Sequence, residues 1–594
     1  MPRRALLAIV AATAAVGAAR AQTPMDFRAL RQRTVPEYRN VPPKVLAFYY
    51  PWYGTAAGPG GAGRNIHWGR IDAAGKDIEA STHYPRLGAY DSHDPNVIDQ
   101  HCRWAARAGL DGLVVSWWGH GDYTDRALPK ILAACRRHQL AACVYYENVP
   151  GPATPKAAAD DIAKLVRRYG KHPAYLTAAG RPVVFIYGRA LEKLGLGGWL
   201  AAATQIGRRC DPAPALIGDR LSYGAACVFD GTHTYNTAGA LRGKDPAEAR
   251  NWAAATYAHW LQAPRRMRRI ATLTVIPGYD DTKIRKPGLA VERYDGRLYQ
   301  AQWEEALKAV PDWVLITSFN EWHEGSEIEP SAEDGEAYLR RTAEWARRFK
   351  AAPRPPAAAP AGIGADDRAR LRAKLAGIRI GVLPDAQSIV PWWLAAEVRA
   401  DLAGLSWRDL AEGRLSPKAY PVLLYAGGES YRRTVRQPGD VDAALERYVH
   451  NGGWLVAAPS MPWPFFYDED GKVVNRSARF GLTLRMGWRQ PPDGVKLRFV
   501  QGDEPLAHLP KDLPFPPFGD VRWRPFAAAE GRQHTSLLAL RDEAGRDLGD
   551  AAALADLPGG GGVGYVWFAL LRTPYAEALT YDVLDRLASR LRRP

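Results

Sequence analysis

The chain has 594 residues, five cysteines and a formal net charge of +16 at neutral pH. A chain of this length is too long to fold around a single hydrophobic core, so two or more domains are predicted. The positive charge lies in arginine-rich helix faces such as residues 265–269, without a nucleic-acid motif, so no nucleic-acid partner is expected. An odd number of cysteines without a CxxC spacing excludes a disulfide scaffold and a zinc ribbon.

The first segment predicts an export signal. Two arginines precede an apolar run over residues 5–19, and Ala19-Arg20-Ala21 fits the small-x-small cleavage pattern. We therefore expect a signal peptide over residues 1–21 and an exported protein that is periplasmic, secreted or surface-associated. A retained membrane anchor is the alternative for this segment. No later stretch is apolar enough to predict a stable membrane span.

Eight short apolar runs alternate with amphipathic helical segments in the first part of the chain. They lie at residues 45–53, 112–118, 141–149, 182–188, 214–220, 225–235, 271–279 and 313–322. Strands that are apolar throughout and alternate with helices are typical of a parallel sheet covered by helices. Eight such units predict an α/β protein with a closed (β/α)8 TIM barrel over residues 22–350.

Several of these runs end in aromatic or acidic residues, at the strand ends where barrel enzymes place their active sites. Aromatic rings suit the apolar face of a sugar, while carboxylates suit its hydroxyls. The residues concerned are Tyr50, Tyr53, Trp117, Trp118, Glu147, Tyr235 and Tyr279.

A Pro/Ala-rich linker over residues 351–374 follows the barrel. The alternation of strands and helices then restarts and predicts a smaller doubly wound α/β domain over residues 375–594. This pattern is similar to the glutamine-amidotransferase-like folds that accompany some glycosidases. That class uses a cysteine nucleophile, and no cysteine follows Cys227, so we expect an accessory role.

The segment ITSFNEWHEGSEIEPS, residues 316–331, contains the residues best suited to chemistry. An apolar strand is predicted to end just before Glu321 and Glu324, and Gly325 then breaks it. Two carboxylates over one cleft are the minimal requirement for glycoside hydrolysis, and a like charge beside aromatic rings separates their pKa values.

Two other interpretations of the same segment remain. An HExxE pattern starts at His323 and is close to a zinc signature, but that signature needs a helix, which the glycine and the preceding strand oppose. Neither a metal nor a cofactor is therefore expected. A solvated acidic loop is the second alternative, and it leaves the interleaved Trp322 and His323 unexplained.

Four longer motifs resemble glycoside hydrolase family 99, the endo-α-mannosidases and endo-α-mannanases. They are AFYYPWYG (47–54) with Ile66-His67-Trp68, VVSWW (114–118), VIPGYDDTKIR (275–285) and ITSFNEWHEGSEIEP (316–330). The resemblance covers about residues 40–350. It implies a (β/α)8 barrel and endo-acting, retaining cleavage next to an α-1,2-linked mannose, without a metal. The implied partner is an α-mannan or another mannose-containing glycan.

The resemblance also implies roles for individual residues. Glu321 corresponds to a general base that acts on the substrate's own 2-hydroxyl and so produces a 1,2-anhydro sugar. Glu324 corresponds to the acid that protonates the leaving oxygen and then deprotonates water, and Tyr50 and Tyr235 face this pair. The other expected substrate-binding residues are Tyr53, His67, Trp68, Trp117, Trp118, Glu147, Tyr279, Arg285, Asn320, Trp322 and His323.

This chain departs from the family pattern at the predicted rim of the cleft. The loop over residues 55–64 is rich in glycine and alanine, the third strand ends in residues 145–148 without the expected histidine, and residues 286–288 replace a Pro-Trp-Asn segment. The glutamate pair is intact, but the glycan remains open. The alternatives are a related barrel hydrolase for another α-linked polysaccharide and a carbohydrate-binding protein without catalysis.

Overall fold

A computed structural model describes residues 23–33, 35–354, 362–384, 386–406, 408–409, 412–427, 441–460, 465–467, 473–475, 477–483, 497–514, 527–528 and 534–592. The chain divides into two compact units, with a boundary between residues 358 and 359. Residues 23–34 group with the second unit rather than with the predicted barrel domain. The predicted signal peptide lies outside the described residues, as do residues 355–361 of the predicted linker.

Eight parallel strands close into a barrel in the first unit, which confirms the predicted fold. β1 pairs with both β2 and β8, and β3 pairs with β4. The strands are β1 (Lys44–Tyr49), β2 (Gly112–Trp117), β3 (Ala141–Tyr146), β4 (Arg181–Ile186), β5 (Ala215–Asp219), β6 (Gly231–His233), β7 (Ile270–Val275) and β8 (Trp313–Ile316). Short strands outside the barrel are Ile71–Asp72 with Asp77–Ile78, Tyr279–Asp280 with Ala290–Val291, and Thr177–Ala178 against β4.

Eight helices follow the strands in turn. They are α1 (Pro95–Arg107), α2 (Tyr123–Arg137), α3 (Pro155–Tyr169), α4 (Gly188–Gly207), α5 (Tyr223–Val228), α6 (Pro246–Arg266), α7 (Arg297–Ala309) and α8 (Ala337–Ala351), with a short helix Ala238–Leu241 before α6. Side chains at Asp94, Asp122, Thr154, Ser222 and Asp245 accept hydrogen bonds from first-turn backbone N–H groups. Such caps satisfy donors that a helix leaves unpaired and so fix where each helix begins.

One predicted strand was too long. The sixth apolar run, residues 225–235, contains α5 up to Val228, and only Gly231–His233 form β6. Ser222 caps α5, and alanines at 225 and 226 favour a helix. A short apolar run cannot distinguish a buried helix from a buried strand by its pattern.

A layer of aromatic side chains fills the barrel interior. Phe48, Tyr145, Phe185 and His233 come from four different strands and are at most 1% exposed. The ring centroids of Phe48 and Tyr145 lie 4.7 Å apart, and those of Phe185 and His233 lie 5.1 Å apart. The ring of Tyr235 packs against Phe48 at 5.0 Å. The layer therefore forms the floor on which residues from the C-terminal strand ends rest.

The second unit contains a nine-stranded mixed sheet. Its parallel half, in spatial order, is Leu402–Gly404, Ile380–Val382, Val422–Tyr425, Trp454–Ala457 and Gly562–Val566. The antiparallel strands Asp547–Asp556, His534–Asp542, Leu497–Gln501 and Asp512–Pro514 continue the sheet. The parallel half agrees with the predicted α/β domain, whereas the antiparallel half was not predicted.

The remaining elements of this unit are shorter. Strand Phe465–Tyr467 pairs with Val473–Asn475, and Leu482–Thr483 pairs with Ala527–Ala528. The helices are Phe27–Gln32, Ala365–Lys374, Val390–Trp393 with a following π-turn Leu394–Val398, Val441–His450 and Ala576–Leu591, with 3₁₀ turns at Ser477–Phe480 and Phe568–Arg572. None of the helices in the described part of the chain is both long and apolar enough to cross a membrane.

Candidate active site

The chain turns sharply after β8 and places two glutamates at the C-terminal end of the barrel. Residues 322–324 form a 3₁₀ turn. Glu321 precedes the turn as its N-cap, and Gly325 follows it as its C-cap with a φ of +54°. A Cβ atom at this glycine would lie 3.0 Å from Asp280 N and from Thr82 Oγ1. Only glycine satisfies both the left-handed backbone and the close approach. The turn brings Glu324 close enough to raise the pKa of Glu321 through its charge.

Glu321 is buried and has one oxygen without a partner. Its Oε1 accepts hydrogen bonds from the Tyr53 hydroxyl at 3.3 Å and from His323 N at 3.2 Å. Its Oε2 is buried and accepts no hydrogen bond from any described residue. Burial, and after it the charge of Glu324, raises the pKa of Glu321 well above the usual range. Oε2 is therefore available to a hydroxyl that enters the cleft.

Glu324 has a different environment, since it faces a cation. Its Oε2 accepts a hydrogen bond from the Tyr235 hydroxyl at 3.0 Å. Its Oε1 accepts two from Arg285, at 3.3 and 3.2 Å. Burial raises the pKa of Glu324, and Arg285 opposes that effect. Arg285 is held by Asp281 and donates to the Tyr279 hydroxyl at 2.7 Å.

A third carboxyl group, that of Glu147, lies in the same cleft at the end of β3. It is 3% exposed, and its Oε1 accepts a hydrogen bond of 2.7 Å from the Ser116 hydroxyl. Burial is the main cause that raises the pKa of Glu147 to about 8. At neutral pH this side chain is mostly protonated and can both donate and accept hydrogen bonds.

Aromatic rings form one wall of the cleft. His67 stacks on Trp52 with centroids 4.4 Å apart, and Trp52 lies 6.3 Å from Trp118 and 5.9 Å from His323. The indole N–H groups of Trp52 and Trp118 are buried and have no partner among the described residues. Buried donors without partners at the edge of a cleft are suited to hydroxyl groups of a ligand. His323 Nε2 meets the His67 carbonyl oxygen.

The other two glutamates of the segment stabilise the turn. Glu327 pairs with Arg293 at 2.6 Å and with His83 at 2.7 Å. Glu329 lies 3.0 Å from His101 Nε2 and accepts a hydrogen bond of 2.8 Å from the Tyr90 hydroxyl. These contacts explain why four glutamates occur within nine residues, although only two of them face the cleft.

Four of the expected substrate-binding residues are buried and make packing contacts within the protein. Asn320 is fully buried, and its amide pairs with the backbone of Tyr50 at 2.7 and 3.1 Å. Trp322 is also buried and donates its indole N–H to Glu329 at 3.0 Å. Both residues hold Glu321 between them. Their expected contact with a substrate stays a prediction.

Trp68 and Trp117 are also held by contacts within the protein, and their expected contact with a substrate stays a prediction. Trp68 is buried, stacks on Tyr53 with centroids 4.1 Å apart and donates to the Tyr90 carbonyl at 2.7 Å. Trp117 donates to Asp125 of α2 at 2.9 Å, so it points away from the barrel interior. Successive strand residues face opposite sides, and Ser116 therefore occupies the inward position.

Sequence reasoning missed several residues that contribute to the site. Trp52 lies within the quoted YPWY segment and was passed over in favour of its tyrosine neighbours. Asp219 ends β5 and accepts hydrogen bonds from Gly188 N at 3.0 Å and Tyr235 N at 3.2 Å, which ties together the ends of neighbouring strands. A polar residue at the end of an apolar run was the available signal for Asp219.

Comparisons with known proteins agree with this arrangement. The model of glycosyl hydrolase family 99 matches residues 41–351. The chain belongs to glycosyl hydrolase family 99. It is therefore a glycoside hydrolase, and the match spans the entire barrel. The assignment covers the barrel alone and does not extend to the second unit.

Two curated relatives of this family 99 hydrolase are vertebrate proteins. The glycoprotein endo-alpha-1,2-mannosidase of Mus musculus is 29% identical over 367 residues, which are 51% of this chain and 74% of the mouse protein. The glycoprotein endo-alpha-1,2-mannosidase-like protein of Homo sapiens is 28% identical over 355 residues, 51% of this chain and 75% of the human protein. The solved GH99 endo-alpha-mannosidase from Bacteroides thetaiotaomicron is 29% identical and covers 52% of this chain and 99% of its own, with a TM-score of 0.44.

The Tyr90 hydroxyl offers a test of how the turn that carries Glu321 and Glu324 is positioned. It receives hydrogen bonds from Asn320 Nδ2 and Trp322 Nε1, both at 3.2 Å, and donates to Glu329. We expect Tyr90→Phe to lower the free energy of unfolding by about 1–3 kcal/mol, since it removes three hydrogen bonds from a buried network. It should also lower kcat with little change in KM, because Glu321 loses its alignment while substrate contacts remain.

Tyr175→Phe is the matched control for Tyr90→Phe. The Tyr175 hydroxyl is buried and has no partner among the described residues, so its removal breaks no hydrogen bond. It should leave kcat unchanged and should not lower the free energy of unfolding. Denaturant unfolding and steady-state kinetics provide the two measurements. Wild-type kcat in the Tyr90→Phe variant would contradict the positioning role.

The pKa of Glu147 predicts a pH-dependent change in stability. A carboxyl group with a pKa of about 8 in the folded protein and about 4.5 in the unfolded chain binds more protons when folded between those values. The unfolded chain releases this proton at lower pH than the folded protein does, so the folded protein becomes less stable as pH rises through this window. Glu147→Gln keeps the acceptor for Ser116 and should raise the melting temperature at alkaline pH but not at acidic pH.

The measurement is the difference in melting temperature between wild type and Glu147→Gln across this pH range. Glu344→Gln on α8, whose side chain is 58% exposed, is the control and should give no pH-dependent difference. A difference for Glu147→Gln that does not change with pH would contradict the raised pKa.

Proposed function

We propose that this family 99 hydrolase cleaves α-mannosidic linkages within a glycan, next to an α-1,2-linked mannose, with retention of configuration. The observation that carries the proposal is the pairing of Glu321, which has a buried free oxygen, with Glu324 across one cleft. The family assignment and the names of the mouse and human relatives support α-mannosyl glycans as the substrate. The free indole N–H groups of Trp52 and Trp118 would hold sugar hydroxyls beside the pair.

In the proposed first step, Glu321 takes a proton from the 2-hydroxyl of the mannose. The O2 atom attacks C1 and forms a 1,2-anhydro ring, while the bond from C1 to the glycosidic oxygen breaks. Glu324 gives its proton to that leaving oxygen. The step requires O2 and the leaving group to lie on opposite faces of the sugar, as they do in an α-mannoside.

The second step reverses the proton transfers. Glu324, now a carboxylate, takes a proton from a water molecule whose oxygen attacks C1. The anhydro ring opens, and O2 recovers its proton from Glu321. Two successive inversions at C1 give a product with the configuration of the substrate.

Glu321 can act as a base and Glu324 as an acid only if substrate binding shifts the proton from Glu321 to Glu324. Without a substrate, Arg285 favours the charged form of Glu324, so Glu321 holds its proton more firmly. A sugar hydroxyl that donates to Glu321 Oε2 stabilises the charged form of Glu321 instead. Hydrogen bonds to charged groups contribute about 1.5–3 kcal/mol, which corresponds to a change of roughly one to two pKa units. A bound glycan therefore shifts the preference toward a charged Glu321 and a protonated Glu324.

Digestion of an α-mannan that carries α-1,3-mannosyl-α-1,2-mannose units tests the proposal. Wild type should release short oligosaccharides of α configuration. Glu321→Gln and Glu324→Gln should each lower the rate by roughly 10²–10⁴, because each removes a proton transfer. Glu344→Gln, far along α8 and exposed, should match wild type.

Other outcomes of the digestion would contradict the proposal in different ways. Cleavage of another α-linked polysaccharide but not of α-mannan would change the substrate and keep the glutamate pair. Binding of glycans without cleavage of any would favour a carbohydrate-binding protein. Wild-type rates in both glutamine variants would remove the pair from the mechanism.

The remaining parts of the chain take supporting roles in the proposal. Residues 375–594 would form an accessory domain related to amidotransferase-like folds, without their cysteine chemistry, since no cysteine follows Cys227. Residues 1–21 would direct export, and the enzyme would then meet glycans outside the cytoplasm. Amino-terminal sequencing of the mature protein should give Gln22 as the first residue, and a mature protein that retains residues 1–21 would favour the membrane anchor.

A further inference from the structure

A groove lies on the outside of the barrel between the first turns of α6 and α7. It has a volume of about 490 Å³, which is within the roughly 300–1,000 Å³ of ligand sites. Its polar lining consists of Asp245, Arg250, Tyr294, Arg297 and Gln300. We refer to these five residues as the α6/α7 groove.

The polar side chains of the α6/α7 groove are held in place by hydrogen bonds. Glu304 of α7 accepts from Arg250 at 3.1 and 2.5 Å and from the Gln300 amide nitrogen at 2.8 Å. Arg297 Nε donates to the Tyr294 carbonyl at 3.1 Å. The Gln300 amide oxygen and the terminal nitrogens of Arg297 make no hydrogen bond with described residues. Both donors and acceptors are thus ready for a ligand before it binds.

The charges at the α6/α7 groove favour a neutral ligand. The lining carries two positive charges, on Arg250 and Arg297, and one negative charge, on Asp245. Glu304, which lies outside the lining, forms an ion pair with Arg250 and neutralises it. Asp245 uses Oδ1 to cap α6, at 2.8 and 2.9 Å, so its second oxygen can accept from a ligand. Planar charged and amide groups of this kind form paired hydrogen bonds with adjacent hydroxyls, while the balanced charge gives no attraction to an anion.

Tyr294 supplies the aromatic surface of the groove. Its ring packs against a buried apolar cluster that includes Tyr279 and Val291 and stays partly exposed. Its backbone and that of Asp295 have φ values of +48° and +52°, which are unfavourable for residues other than glycine. One side of the Tyr294 ring is held by packing against this cluster. The exposed part of the ring can stack on the apolar face of a sugar.

The groove lies at the same end of the barrel as the catalytic glutamates. The first turns of barrel helices follow the C-terminal ends of the strands. Arg293, which precedes Tyr294, donates to the carbonyl oxygens of Gly325 and Glu327 at 3.1 and 3.0 Å. The segment that carries Tyr294 is thus attached to the turn that carries Glu321 and Glu324.

We propose that the α6/α7 groove is a second glycan-binding site, which holds neutral hexose units of a polymeric substrate while another part of the same chain is cleaved. The identity of that polymer as α-mannan rests on the proposed function. The inference that the groove is a binding site rests on its volume, its charge balance and its hydrogen-bonded side chains. A short substrate would occupy the cleft alone and would not reach the groove.

The test compares a polymeric and a short substrate. The double variant Arg297→Ala/Gln300→Ala removes two exposed polar side chains, and Ala247→Trp fills the groove from the lining residue on α6. We expect both to lower kcat/KM on α-mannan about tenfold, roughly the effect of two lost hydrogen bonds. Neither should change kcat/KM on a short fluorogenic α-mannoside. Arg136→Ala, at the last turn of α2, changes the same charge at the opposite end of the barrel and should have no effect.

Affinity electrophoresis separates failure of the groove from failure of the proposed function. Retention of wild type in gels that contain α-mannan or other neutral polysaccharides should be weaker in both groove variants, since only binding in the cleft remains. If wild type cleaves no α-mannan, this retention still tests the groove on its own. Equal losses on the polymeric and the short substrate, or unchanged kinetics and retention in both variants, would overturn the proposal.

Discussion

The buried carboxylate of Glu329 fixes the turn on which the rest of the site depends. It binds the Tyr90 hydroxyl and the Trp322 indole and lies beside His101. Tyr90 in turn receives the amide of Asn320, so both neighbours of Glu321 are held by one network. Because the network is buried and satisfied, it resists rearrangement, and Glu321 can remain beside a second carboxylate despite their repulsion.

Several ionisable groups lie close together in the cleft, and burial makes their charged forms less favourable. Glu147, Glu321 and Glu324 all have raised pKa values, and Arg285 is the cation that contacts one of them. Such an arrangement costs stability, which is the usual consequence of building an active site. In return, the carboxyl groups hold protons nearer to neutral pH, where general acid and base catalysis is most effective.

The barrel could be predicted from the sequence because its strands are buried on both faces and appear as uniform apolar runs. The position of the glutamate pair at the end of the barrel could be predicted because Glu321 and Glu324 follow the last run directly. Side-chain direction could not be predicted in the same way: alternation along β2 turns Trp117 toward α2, where its indole N–H donates to Asp125. Trp68 shows the same difficulty, since a tryptophan in a loop can pack inward or line a cleft with the same sequence signal.

Features that join distant segments of the chain could not be predicted from the sequence pattern either. The α6/α7 groove needs Arg250 and Gln300 to meet at Glu304, and neither segment contains a motif. The antiparallel half of the second sheet includes His534–Asp542, whose apolar residues do not alternate strictly because a bulge interrupts its pairing with Asp547–Asp556. These arrangements depend on tertiary packing, which local periodicity does not encode.

The central claim is that Glu321 acts as a base on the substrate's 2-hydroxyl rather than as a nucleophile. An α-mannoside with a fluorogenic leaving group and fluorine in place of the 2-hydroxyl tests this directly, with intact-protein mass spectrometry as the measurement. The account predicts neither release of the leaving group nor any increase in protein mass, because no O2 atom is available to attack C1. A stable adduct of one fluorinated sugar on Glu321, formed as the leaving group departs, would contradict it.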